Sequence, residues 1–265
     1  MVKHATIKDF TMFVRFARNF DLFSLCRCES ESHWKRGPRY PQSNKDVVAV
    51  NEPMKHSKPW KRGIRNQQSN GDHRAAKFFP NVKIVGHSFI RRFADDLRNS
   101  SGSFVNTLGL SDYVGSLGCF GRGGAMVDDI LQSFDIGNAN IIILDVGTND
   151  LCNDITGYLL AKKVFNHAVK LLACKSVKHV KILEILKRAK TRNLGRDYFE
   201  QQRQSYNNTM KKLSETHSYI SFATQPGFEN LNEWSNDGIH ATTYYGKNAY
   251  KSNIKNFIID ACAKV

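Results

Sequence analysis

Nowhere in its 265 residues does the chain gather the ~20 consecutive apolar residues that a membrane-spanning helix needs, so no span is expected. The first 25 residues also lack an unbroken apolar run. Arg15, Arg18 and Asp21 interrupt Met1 to Leu25, which argues against a secretory signal. Cysteine is sparse and unpatterned. Cys26, Cys28, Cys119, Cys152, Cys174 and Cys262 show no disulfide-framework spacing, and a chain of this length needs no stapling. Cys26-Arg27-Cys28 with a distant His33 lacks the ligand spacing of structural zinc. Free thiols in a reducing compartment follow, and the expectation is an intracellular, cytoplasmic protein. Acidic residues are scarce as well, 24 against 39 Lys and Arg, for a formal net charge of +15. Residues 1–80 hold 16 Lys/Arg against 7 Asp/Glu, so over half the excess sits in less than a third of the chain. Such a basic arm suits nucleic acid or an anionic surface, and equally a solvated tail with no dedicated partner.

What is present is enough for a core: 41% of residues are hydrophobic, which excludes wholesale disorder. From Ser30 to Pro80 the chain is polar, basic and aperiodic, with Pro38, Pro41, Pro53 and Pro59 spread through it. It cannot bury enough apolar area to offset the entropy of ordering. Two parts are therefore expected. Residues 1–80 form a basic extension, largely disordered or linker, and residues 81–265 form the folded domain. Phe10, Phe13, Phe16, Phe20 and Phe23 recur at helical spacing within the extension. That stripe suits a short helix packed on the domain, a surface-binding helix, or a presequence, the last weakened by Asp9 and Asp21.

Alternation begins at Val82. Strands are expected at Val82–Gly86, Phe104–Leu110, Asn140–Val146, Val180–Leu186 and Tyr219–Ala223. Helices are expected at Phe89–Arg98, Val127–Phe134, Thr156–Cys174, Tyr198–Glu215 and Gly246–Ala263. The run Asn-Ile-Ile-Ile-Leu-Asp-Val is typical of a central parallel strand covered on both faces. Strands alternating with helices imply an α/β fold, a parallel sheet of about five strands sandwiched between helical layers. Ligands in such sheets bind beyond the carboxyl ends of the strands, where Ser88 and Asn149 fall.

Four short segments carry the chemistry. Ser88 lies between a strand-ending glycine and a helix; there it is a nucleophile awaiting a base, or simply an N-cap. Gly121-Arg122-Gly123-Gly124 lacks the Walker lysine and the Rossmann glycine spacing, so it is not read as a phosphate cradle. Asn149, in Gly147-Thr148-Asn149-Asp150, can donate an amide to a developing oxyanion, or serve turn chemistry alone. Asp237-Gly238-Ile239-His240 lets a carboxylate orient an imidazole, or forms a surface turn. Each has a plain structural use; together and in this order they fit a serine hydrolase.

In these segments the chain resembles the SGNH (GDSL-type) hydrolases, whose blocks supply Ser, Gly, Asn and His in that order. The matching positions are Ser88 in Val85-Gly86-His87-Ser88-Phe89, Gly124 in Gly123-Gly124-Ala125, Asn149 in Gly147-Thr148-Asn149-Asp150, and His240 in Asp237-Gly238-Ile239-His240. The resemblance spans about residues 82–262 and rests on a few residues per block. His87 stands where the family usually has an aspartate, and with Arg91 and Arg92 it gives the Gly-His-Ser-Phe-x-Arg-Arg form of invertebrate, retroelement-associated members. The resemblance implies a three-layer α/β/α sandwich with a flavodoxin-like sheet. It also implies metal-independent hydrolysis of an acyl ester or acetylated substrate, with no cofactor. Ser88, His240 and Asp237 would be the triad, and Ser88 N–H, Gly124 N–H and Asn149 the oxyanion hole. The alternative is a catalytically weak module that binds nucleic acid through Lys55, Lys58, Lys61, Arg62 and Arg65, with Trp60 interleaved, and through the basic loop Lys187 to Arg192.

Overall fold

Period-two alternation along each central strand assigns its side chains to two separate cores. The computed structural model describes residues 78–99, 108–153, 155–192 and 194–265. Cys26, Cys28, His33, the phenylalanine stripe and the basic segment 55–65 lie outside the described residues. The strands are β1 (Asn81–Gly86), β2 (Ser116–Gly121), β3 (Ile141–Asp145), β4 (His179–Leu183) and β5 (Ile220–Ala223). The helices are α1 (Ser88–Asn99), α2 (Val127–Ser133), α3 (Thr148–Leu151), α4 (Gly157–Leu172), α5 (Arg196–Ser214), α6 (Leu231–Trp234) and α7 (Tyr244–Cys262). All strand pairs are parallel, in the order β2-β1-β3-β4-β5. This is the flavodoxin-like order expected from the resemblance.

Val85, Ile142, Leu144, Val180 and Ile182 face one core with α2, α4 and α5. Val82, Ile84, Ile141 and Ile143 face the other with α1 and α7. Every residue of β3 is buried, as its unbroken Ile-Ile-Ile-Leu run required. The helices follow their sequence periods to within a few residues. Thr156 and Thr243 cap α4 and α7 through their side-chain oxygens, accepting from Leu159 N and Gly246 N.

One strand lies elsewhere than expected. Leu108–Leu110 is a turn, with Leu108 at φ +57°, and residues 104–107 are outside the described set. The second strand is instead Ser-Leu-Gly-Cys-Phe-Gly at 116–121. It pairs with β1 alone, so it sits at the sheet edge, half-buried rather than enclosed. An edge position needs no continuous apolar run, and two glycines dilute its pattern further. β4 likewise stops at Leu183, short of the expected Leu186. Ile185 remains buried, but its N–H donates to Asn207 Oδ1 (3.0 Å) instead of a neighbouring strand.

Candidate active site

The sheet order reverses between β1 and β3, opening a crevice at their carboxyl ends. β1 finishes at Gly86 and α1 starts at Ser88, so the hydroxyl emerges there. The turn is tight because Gly86 has no side chain: a Cβ would lie 2.4 Å from the Asp145 carbonyl oxygen and 2.6 Å from Ile90. His87 N donates to that same carbonyl (3.3 Å), and Arg122 N donates to Gly86 O (3.0 Å). The turn leading into Ser88 is thus held by backbone bonds to Asp145 on one side and Arg122 on the other.

His240 arrives from the α6–α7 loop. Asp237 folds that loop upon itself: its Oδ1 accepts from Ile239 N (2.8 Å), His240 N (2.7 Å) and Ser235 Oγ (3.2 Å). Buried Trp234 anchors the base of the loop, its carbonyl accepting from Thr242 N and Thr243 N. The other carboxylate oxygen lies 2.8 Å from His240 Nδ1, and His240 Nε2 lies 2.7 Å from Ser88 Oγ. With Nδ1 donating to the carboxylate, Nε2 is left to accept the serine proton. The ring also rests on Phe89, centroids 5.5 Å apart.

Electrostatics favour this protonation pattern. Burial depresses the His240 pKa below its ordinary 6.5; Asp237 opposes the shift, and Arg92 and Arg188 reinforce it. The imidazole is therefore neutral at neutral pH. Burial works against the Asp237 carboxylate, but the His240 and Ile239 hydrogen bonds prevail and hold it well below the usual carboxylate range. Arg92 Nη2 adds a contact 3.6 Å from Asp237 Oδ2.

Asn149 is buried at the start of α3 yet reaches the crevice, and its Nδ2 donates to Ala125 O (2.9 Å). An amide nitrogen carries two protons, and the second N–H has no hydrogen-bond partner among the described residues. Next to it, Asp150 accepts from Val127 N at 3.0 and 3.3 Å. These bonds tie α3 to the 123–127 turn, where Gly124 adopts the left-handed φ of +73°. Ser88, Gly124, Asn149 and His240 line one cavity of about 640 Å³, so the structure brings these predicted residues to one place. The arrangement can pass a proton from hydroxyl to imidazole beside amide donors, the requirement of acyl transfer.

Sequence reasoning missed the support behind Ser88. Buried His87 holds Nε2 3.6 Å from Asp145 Oδ1, and the Tyr250 hydroxyl donates to Asp145 Oδ2. Burial lowers the His87 pKa, with Asp145 opposing. Its ring also meets Phe89 edge-on at 5.7 Å, so His87 fills space beside Ser88. No short-range pattern links residues 87, 145 and 250. The basic loop expected as a nucleic-acid contact borders this cavity through Arg188, Lys190 and Arg192.

No protein-family model matches the chain, and no curated protein matches it. Its architecture is nevertheless shared with solved structures named as esterases and acylhydrolases. A carbohydrate esterase family 3 protein from Talaromyces cellulolyticus superposes with a TM-score of 0.52 at 14% identity, over 70% of this chain and 99% of its own. A mutant acetyl esterase crystallised with acetate gives 0.51 at 13% identity, covering 69% and 98%. The lipase/acylhydrolase from Enterococcus faecalis gives 0.50 at 13%, covering 68% and 96%. At such identities the likeness is one of fold.

Proposed function

We propose that the chain is an SGNH-type serine esterase that cleaves acyl esters, acetyl esters among them, without a metal. The observation that carries this reading is the continuous hydrogen-bonded line from Ser88 Oγ through His240 to Asp237, between residues 152 positions apart. Ser88 Oγ attacks the ester carbonyl while His240 Nε2 takes its proton. Asp237 fixes the ring and stabilises the imidazolium. Ser88 N–H, Gly124 N–H and the free Asn149 amide proton receive the negative charge that develops on the carbonyl oxygen. The imidazolium returns its proton to the departing alkoxide, releasing the alcohol. Water, activated by the same imidazole, then cleaves the acyl-serine, giving the carboxylic acid and free Ser88. The fold shared with proteins named as esterases fits this reaction class.

The test is turnover of para-nitrophenyl acetate by wild type and Ser88→Ala. The expected loss is roughly 10³-fold or more, with the circular dichroism spectrum retained. Full activity in the variant would remove Ser88 as nucleophile.

A further inference from the structure

Among the described residues, the wall of the cavity beside Ser88 is cationic and holds no carboxylate. Arg91, Arg188, Lys190 and Arg192 line it with Ser88, Gly123, Gly124, Asn149, Ile239 and His240. Three of the four cations are exposed and would gather at many basic surfaces. Arg188 differs: it is only 7% exposed. Its Nη1 donates to Cys152 Sγ (3.3 Å), and its buried Nε has no hydrogen-bond partner among the described residues. Burial pushes the Cys152 thiol pKa up, so at neutral pH that neighbour carries no compensating charge. Burial lowers the Arg188 pKa and Arg192 adds repulsion; Cys152 opposes the shift, and so does Asp237, which is already engaged by His240 and Arg92. A guanidinium withdrawn from water without a carboxylate partner is costly, and proteins keep such a group where a bound anion completes it.

We propose that the preferred ester carries a compact oxyanion (phosphate, sulfate or carboxylate) on the part remote from the scissile bond, held by Arg188. Lys190, Arg192 and Arg91 surround that group and draw it in. The planar fork of Arg188 pairs with two oxygens of such a group, where a lysine would offer only a point charge. This inference rests on the esterase reading of Ser88 and narrows it to a substrate class.

The test compares para-acetoxyphenyl phosphate and para-acetoxybenzoate with phenyl acetate, each rate corrected for uncatalysed hydrolysis. Wild type is expected to prefer at least one anionic ester by about tenfold or more in kcat/KM, and the better of the two identifies the oxyanion. Arg188→Met is expected to collapse that preference ratio. The double variant Lys190→Ala/Arg192→Ala, confined to the exposed loop, is expected to reduce it and make it less salt-sensitive, which keeps the test open should Arg188→Met fail to fold. Equal turnover of charged and neutral esters overturns the inference while leaving the esterase intact. If no ester is cleaved, binding decides. Ser88→Ala is expected to bind para-hydroxyphenyl phosphate or para-hydroxybenzoate in calorimetry, more weakly once Arg188 or the Lys190/Arg192 pair is replaced. Absent or unchanged binding overturns the inference independently of the catalytic reading.

Discussion

In the proposed reaction the imidazole of His240 carries most of the chemical burden at the scale of single residues. Its neutral form serves there as the base, and burial holds its pKa below 6.5. A pH profile of kcat/KM is therefore expected to show an acid limb with its midpoint below 6.5, activity rising as pH rises through it. Arg92, which contacts Asp237 and repels imidazolium, contributes to that depression. Replacing it in Arg92→Met is expected to move the limb to higher pH, because the protonated ring loses a repulsive neighbour. An unmoved limb would show that Arg92 does not act on the base. The segment that holds this residue was readable, since Asp-x-x-His in a turn is a short-range pattern. Arg92 was readable only as part of a motif; its place beside Asp237 depends on how α1 meets the α6–α7 loop, 145 positions away in sequence.

Between elements, the informative contact joins α3 to the turn before α2. Asp150 is buried and accepts the Val127 N–H, and burial raises its pKa to about 6, opposed by that N–H and by Lys163. Its folded pKa lies above its ordinary 3.8, so between those values the native state holds more protons than the unfolded chain. Stability contributed by this site is thus greatest at low pH and falls as pH rises from about 4 to about 6. Asp150→Asn keeps a side-chain oxygen for Val127 N and removes the charge. It is expected to raise the unfolding free energy from urea denaturation more at about pH 8 than at about pH 5, by on the order of 1–2 kcal/mol. The same change at both pH values would mean that Asp150 is ionised without cost.

Element recognition from sequence followed enclosure. β3, walled on both faces, announced itself through four consecutive apolar residues, and α4 and α7 lie within a few residues of their expected ranges. β2 did not. An edge strand of Ser, Gly and Cys carries too few β-formers to stand out, and the nearby Phe104–Leu110 stretch offered stronger local alternation. The four-residue α3 and α6 are shorter than any periodic signal, although Asn149 sits on one and the other leads into the His240 loop.

For the whole molecule, topology does what local sequence cannot. A sheet that grows first to one side of β1 and then to the other leaves the ends of β1 and β3 adjacent. The last loop before α7 closes over the same edge. Residues 88, 124, 149 and 240 meet for that reason, and their order in the sequence was enough to suggest it. That Arg188 has no carboxylate partner among the described residues was not legible, since a basic loop reads alike whether it faces bulk water or the Ser88 hydroxyl. A fluorophosphonate probe reports this convergence directly, because it reacts with a serine only where a base and amide donors already surround the hydroxyl. Mass spectrometry of the labelled wild-type protein is expected to place a single adduct on Ser88, formed much more slowly in His240→Gln. A folded protein that leaves Ser88 unmodified, or carries the adduct on another residue, would contradict acyl transfer at this site.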